Sequence, residues 1–346
     1  VIEISPIEHI LVLVMHHIAS DGWSLPIFVK ELVSLYGSRE EGVPSDLMTL
    51  PIQYADYSLW QRSDSFSLLL SNKLSYWDKK LKGISPLNLP TDFSRPSTRS
   101  HQGGILGFTI SGDLLNDVYK LSTATETTLF MVLLSVFKVL LYRYSGQEDI
   151  SVGSPIANRG QSDVEPLIGF FVNTLVLRSS LIGATRFKDF LLDLRATTLE
   201  AYDHQEVSFE KIVDQLGADR DMSRSPLFDV MFVLQNNVSI PEISLGEAVL
   251  SSELYERDTT AFDLTFSVDE TSSGLAVSIE YSKDLFLPDT IVRMFDHYKM
   301  LLSSVVSDPE QSIGNLSMLT PVEEKELIHD FNDTAVDYPF DRTIID

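Results

Sequence analysis

The sequence predicts a mixed α/β fold of the α+β kind, with mixed sheets, interspersed helices and two lobes. Three observations carry that expectation. A chain of 346 residues that is 44% hydrophobic is ample for a sizeable core and is longer than a single core usually serves. Its apolar runs are of two kinds, short strand-like runs and longer stretches at helical spacing. A segment rich in Pro, Ser, Thr and Gly, "ISPLNLPTDFSRPSTRSHQGG", divides them. The expected organisation is residues 1–83 as the N-terminal lobe, 84–103 as an interlobe linker, 104–310 as the C-terminal lobe, and 311–346 as a linker into another unit.

In chain order, "HILVLVMHH" reads as a strand buried on both faces, because it is short, β-branched and almost unbroken. "SLPIFVKELVSLYG" reads as a helix. Ser24 supplies an N-cap, Pro26 sits in the first turn, and Leu25, Phe28, Leu32 and Tyr36 recur at helical spacing. Gly37 takes the C′ position. "PIQYADYSLWQR" and "LSNKLSYWDKKLKG" are two further helices, whose aromatic stripes read as core. After the linker, "ILGFTI" is a strand and "DLLNDVYKLSTA" a helix. "TTLFMVLLSVFKVLLYRYSG" is a buried helix ending near Gly146. "DISVGSPI" is a strand and "ANRGQSDVEP" a polar loop. "IGFFVNTLVLRSSL" is a strand with a polar pair, Asn173 and Thr174, in its apolar middle. A helical stretch follows from "TRFKDF" to "VDQLG". "FDVMFVLQ", "FDLTFSVDE" and "GLAVSIEYS" are strands, the last two forming a hairpin. "PDTIVRMFDHYKMLLSSVVSD" closes the lobe as a helix.

Composition excludes several classes of function. The net charge of −24 opposes DNA, RNA and anionic membrane surfaces. With no cysteine there is no disulfide framework, thiolate zinc site or cysteine nucleophile, which fits a reducing cytoplasm. The first residues carry no basic n-region. The longest apolar stretch, Leu129 to Tyr144, is broken by Ser135 and Lys138 and is too short to span a bilayer. Sequons at Asn237, Asn315 and Asn332, without a secretory signal, read as chance.

The chemistry concentrates in "MHHIASDGWS", at a strand–turn–helix junction. A metal site is disfavoured: adjacent side chains on a strand point to opposite faces, so His16 and His17 do not converge on one ion, and H-E-x-x-H spacing is absent. A histidine ending a core strand is commonly a satisfied core residue. Here, however, a turn bearing Asp21, Gly22 and Ser24 follows at once. Gly22 removes a side chain where backbone or ligand must come close. Asp21 can hold an imidazole or pair with an arginine that braces the turn. That arrangement suits a general base kept in one tautomer. No nucleotide-binding fingerprint, G-x-S-x-G or P-loop pattern is present.

"MHHIASDGWS" resembles the H-H-x-x-x-D-G motif of the condensation domains of nonribosomal peptide synthetases, shared more loosely with chloramphenicol acetyltransferase. "YADYSLWQR" (54–62), "IGFFVNTLVLR" (168–178), "HQEVSFEKIVDQL" (204–216) and "RDMSRSPLFDVMFVLQN" (220–236) resemble further blocks of that family in the same order. "LTPVEEKELIHDFNDTAVDYPFDRTIID" resembles the run into an adenylation domain. The resemblance covers essentially the whole chain. It implies a two-lobed chloramphenicol acetyltransferase-like fold, with the first lobe incomplete because the family's blocks upstream of the histidines are not in this sequence.

It also implies an acyltransferase activity. The amine of an aminoacyl group on a downstream carrier protein attacks the acyl or peptidyl thioester on an upstream carrier. Both would arrive on phosphopantetheine arms through a tunnel, so the domain itself would bind no cofactor or metal. His17 is expected to face the tunnel, as general base or by orienting the amine. His16 is expected to turn into the structure. Asp21 is expected to be structural and to lack its partner here, since the family's bracing arginine lies upstream. Gly22 is expected to give space, with its N–H facing the developing oxyanion. Trp23, Ser24 and Asn173 are placed along the tunnel, Trp23 chiefly as packing and Asn173 either there or satisfied within its sheet. His204, Gln205, Arg220 and Arg224 are expected to set loop geometry. The alternatives are an epimerisation domain of the same superfamily and a catalytically silent module that docks carrier domains.

Overall fold

The longest apolar run of the chain lies at the centre of the molecule. In the computed structural model, which describes residues 1–217, 221–235, 243–245, 248–251 and 258–335, every side chain from Met131 to Leu141 is buried. Arg220, the sequon at Asn237 and the final stretch 336–346 lie outside the described residues.

The elements are β1 (Ile2–Ser5), β2 (Glu8–Ile10), α1 (Ser24–Glu41), α2 (Tyr54–Trp60), α3 (Asp64–Leu81), β3 (Gly103–Ile110), α4 (Gly112–Ala124), α5 (Leu129–Ser145), β4 (Asp149–Ile156), β5 (Asn173–Ser180), α6 (Phe187–Tyr202), α7 (Phe209–Leu216), β6 (Val230–Gln235), β7 (Ile243–Leu245), β8 (Ala248–Leu250), β9 (Leu264–Thr271), β10 (Gly274–Ser282), α8 (Pro288–Ser307) and α9 (Pro321–Ile328). Six strands form one mixed sheet in the order β3-β10-β9-β6-β4-β5. Strand β6 runs parallel to both β4 and β9, and the other neighbours are antiparallel. Helices α4, α5, α6 and α8 pack together, and α5 also packs on β4. Thr128 caps α5 through Met131 N–H, and Gly146 ends it in the left-handed region at φ 68°. Each fully buried Leu or Val of α5 contributes about 1.5–3 kcal/mol of apolar burial.

Several expectations change. The run "HILVLVMHH" is not a buried strand. Pairing stops at Ile10, where β2 meets β1, and Leu11 to His16 are exposed without regular structure, Val14 at 86%. A strand apolar on both faces is buried only if neighbours cover both, and among the described residues none pairs with it. Helix α1 starts at Ser24 itself and passes through Gly37 to Glu41; Gly42, at φ 70°, ends it. Strand β5 begins at Asn173, so that residue opens the strand and Ile168 to Val172 form a loop. The helical stretch after Thr185 divides into α6 and α7 because side chains capture the intervening backbone: Trp77 Nε1 donates to His204 O at 3.0 Å, and Asn173 Nδ2 to Gln205 O and Val207 O at 2.7 Å each. Beyond α8, Ile313 and Leu316 are buried in the main core, and Ile313 N–H donates to Thr185 O at 2.9 Å, so this part of the tail is a strap on the body.

Segment 84–103 has no regular element before Gly103, yet it is fastened by charge. Arg95 binds Asp263 through two bonds; Arg99 Nη2 reaches Asp263 Oδ1 at 2.7 Å and Asp229 Oδ1 at 3.4 Å. Arg224 completes the cluster on Asp229 Oδ2 at 2.6 Å. Both carboxylates are almost fully buried. Burial, and then the neighbouring Asp263, push the Asp229 carboxyl above its ordinary value despite the arginines.

Candidate active site

His17 opens a single 3-10 turn, His17–Ala19, between the exposed run and α1. Its Nδ1 lies 2.7 Å from Ser20 O. A carbonyl oxygen only accepts, so the neutral ring carries its proton on Nδ1 and leaves Nε2 with the lone pair. The ring is exposed and meets Phe170 edge-on, centroids 5.1 Å apart at 86°. His16 also stays at the surface rather than turning inward: its Nδ1 accepts Ile18 N–H at 3.0 Å and so caps the turn. The two imidazoles bind separate backbone groups, and among the described residues no cluster of His, Asp and Glu could hold a metal ion.

Asp21 is not unpaired. Its side chain is 1% exposed, and its partner Arg159, at 2%, comes from downstream, in the loop after β4. Arg159 Nη2 donates to Asp21 Oδ1 at 3.1 Å, which also accepts Ser24 N–H at 3.0 Å. Oδ2 accepts the N–H groups of Phe171 and Val172 at 3.0 and 3.3 Å. Burial alone would raise the Asp21 carboxyl. The hydrogen bonds from Phe171 and Ser24 and the charge of Arg159 outweigh it and hold the carboxyl below its ordinary value. Its place at the start of α1 adds the helix dipole in the same sense. Arg159 Nη1 is held by the carbonyls of Val164 and Leu167, 2.7 Å each, and the guanidinium lies over the Phe171 ring at 4.1 Å. All these groups keep the carboxylate away from the imidazoles, so Asp21 braces the turn.

Ser24 belongs to this network rather than to a tunnel wall. It is fully buried. Its Oγ lies 2.8 Å from Asp21 Oδ1 and 3.0 Å from Gly169 O, sharing one proton between them, and accepts Gly169 N–H at 3.2 Å. Gly169 is needed because a Cβ there would come within 2.3 Å of the Tyr54 ring. Tyr54 Oη in turn donates to Phe170 O at 2.9 Å. At Gly22, by contrast, no atom apart from its own chain neighbours lies within 4 Å of where a Cβ would stand, so the surroundings do not require glycine there. The space beside the turn is open. Trp23 is 48% exposed and is not core packing.

Asn173 is satisfied where it stands. Besides donating to Gln205 and Val207, its Oδ1 accepts Thr174 N–H at 2.8 Å and Phe209 N–H at 3.0 Å. No hydrogen-bonding capacity remains for a substrate. His204 bonds Glu200 O and stacks on Tyr76, Gln205 donates to Tyr202 O, and Arg224 grips Leu87 O and Asp229, so all three shape loops. Arg159, Phe170 and Tyr54 are the site residues that sequence reasoning missed. Tyr54 and Phe170 lie in the stretches 54–62 and 168–178 that resemble family blocks, whereas Arg159 stands alone in "ANRGQSDVEP", where nothing local links it to Asp21.

The family model for the condensation domain matches residues 1–328. The chain belongs to the condensation-domain family. It is 44% identical over 97% of its length to a linear gramicidin synthase of Brevibacillus parabrevis, and spans 7% of that protein. It is 39% identical, again over 97% of its length, to gramicidin S synthase 2 of Brevibacillus brevis, and spans 7% of that protein too. Among solved structures, the X-domain from teicoplanin biosynthesis superposes with a TM-score of 0.78 at 25% identity, over 88% of this chain and 70% of that one. A four-domain nonribosomal peptide synthetase bound to AMP and glycine gives 0.77 at 22% identity, over 90% of this chain and 24% of that one. The fold is therefore the chloramphenicol acetyltransferase-like α+β fold of condensation domains. No single helix among the described residues is long and apolar enough to cross a membrane.

Proposed function

We propose that this condensation domain forms the amide bond between two carrier-bound substrates in the cytoplasm. The amine of a downstream aminoacyl group attacks the carbonyl carbon of an upstream acyl or peptidyl thioester. The C–N bond forms, the C–S bond breaks, and the amine proton leaves with the pantetheine thiol. His17 Nε2 accepts that proton, or a hydrogen bond from the amine, on the way. His16, Asp21 and Ser24 hold the turn, and the Gly22 N–H faces the developing oxyanion. Substrates come on the phosphopantetheine arms of carrier domains, and an adenylation domain is the neighbour to which residues 321–346 point by resemblance. Epimerisation is the less favoured reading beside relatives that are peptide synthases.

One observation carries this reading: His17 Nδ1 is committed to Ser20 O, which leaves Nε2 of this exposed imidazole with a free lone pair. The test supplies donor- and acceptor-loaded carrier proteins and follows peptide formation with His17 intact, His17→Ala and His17→Gln. A general-base or orienting role predicts a loss of roughly 10²–10⁴-fold in His17→Ala. Equal yields would overturn both roles.

A further inference from the structure

We infer that Phe170 is a positioning residue that holds the His17 imidazole through an edge-on ring contact. This rests on the catalytic reading of His17 and extends it to a side chain from a distant loop, just ahead of β5.

An exposed histidine ordinarily rotates between rotamers on the picosecond-to-nanosecond timescale. One hydrogen bond, Nδ1 to Ser20 O, fixes an atom of the ring but leaves the ring plane free to swing about that contact. The edge-on contact with Phe170, at 5.1 Å and 86°, supplies the second restraint. Phe170 can serve because its backbone is fixed on both sides. Before it, both backbone groups of Gly169 lie within hydrogen-bond distance of Ser24 Oγ. Its own carbonyl is held by Tyr54, and after it Asp21 Oδ2 holds the N–H groups of Phe171 and Val172. Phe171 turns inward to Tyr57 and Arg159, whereas Phe170 turns outward and stays 38% exposed. The buried Asp21–Ser24 pair thus anchors two things at once: the turn that bears His17 and the loop that bears the ring against it. A core role does not account for an exposed phenylalanine whose ring packs edge-on against His17.

The test reads the imidazole directly. Long-range proton–nitrogen NMR of histidine-labelled chain distinguishes the two tautomers, and His17→Gln assigns the His17 signal among the seven histidines. Wild type is expected to show His17 protonated on Nδ1. Phe170→Ala is expected to show a mixture of tautomers, and Phe170→Tyr the wild-type pattern. Tyr54→Phe, which frees the Phe170 carbonyl without removing a ring, is expected to move the signal the same way by less. In the condensation assay, Phe170→Ala is expected to lower kcat roughly tenfold with little change in KM for the acceptor. If the tautomer and kcat are both unchanged in Phe170→Ala, the inference fails. If Phe170→Ala does not fold, Tyr54→Phe with an unaltered His17 signal overturns it. An active His17→Ala would sink the catalytic reading instead, and the spectra would still decide the positioning.

Discussion

Replacing Asp21 by Asn separates a bracing aspartate from a catalytic one, because it preserves shape and removes charge. The carboxylate accepts from Ser24 and Arg159 on one oxygen and from Phe171 and Val172 N–H on the other. An amide must turn its NH2 toward one of these sets of donors. Facing Phe171 and Val172, it orphans two backbone N–H groups; facing Arg159, it takes the acceptor from Nη2; and in either orientation the buried guanidinium loses its counter-charge. An unsatisfied buried donor costs about 1–3 kcal/mol, and an uncompensated buried charge about 3–5 kcal/mol. Asp21→Asn should therefore lose roughly 3–5 kcal/mol, a large part of a stability of about 5–15 kcal/mol. In thermal unfolding of a chain of 346 residues that corresponds to roughly 4–7 °C in Tm. Acid should act in the same direction. Because the folded carboxyl sits below its ordinary value, its contribution is complete above the unfolded pKa of about 4 and is lost as pH falls through the depressed value. The companion variant Arg159→Met in the Asp21→Asn background removes the orphaned charge and should recover part of the loss. A Tm for Asp21→Asn within 1–2 °C of wild type, about the error of the method, would refute the reasoning.

Three further outcomes follow from the geometry. Lys138, wholly buried against Leu177 O at 2.6 Å and Ser179 Oγ at 2.9 Å, has its ammonium pushed down to about 7, by burial against the partial support of Asp149. The unfolded lysine keeps its proton to about pH 10.4, so between these values the unfolded state binds more protons and this group's penalty shrinks as pH rises. From pH 7 to 9, denaturant titration should show wild type gaining roughly 2 kcal/mol relative to Lys138→Met, and parallel curves would contradict it. Gly169→Ala places a methyl 2.3 Å from Tyr54 Cδ2 and 2.9 Å from Phe171 Cε2, and should cost about 1–3 kcal/mol in the same titration. Asn173→Asp keeps the bonds from Thr174 and Phe209 but sets an oxygen against the carbonyls of Gln205 and Val207, and should lose roughly 2–4 kcal/mol at neutral pH and less when protonated.

Residues were legible from sequence wherever their structure is settled by near neighbours. Helix α5, strand β4 and the β9–β10 hairpin lie close to the bounds read from sequence, because hydrophobic period and a Ser/Gly turn act within a few positions. Gly37 and Gly42 show where that logic weakens. Both can end a helix, and only the backbone at φ 70° decides for Gly42. The run from Leu11 to Met15 fails for a deeper reason. An apolar pattern records a demand for burial, whereas burial itself requires a neighbour, and no described strand pairs with this run. The site divides in the same way. The turn that fixes His17 spans three residues, and its chemistry could be read from the motif. The partner of Asp21 lies 138 positions downstream and Phe170 further still. A carboxylate buried at a helix start must have found donors, which argues that some arginine or set of N–H groups was present. Which ones was decided by how β4 and β5 pair in register, Ile156 against Asn173, bringing the loop between them, with both Arg159 and Phe170, over the turn. The strand register of the large sheet, rather than the motif alone, therefore assembles the site. On that reasoning a change in the 157–172 loop should disturb His17 as surely as a change within the motif.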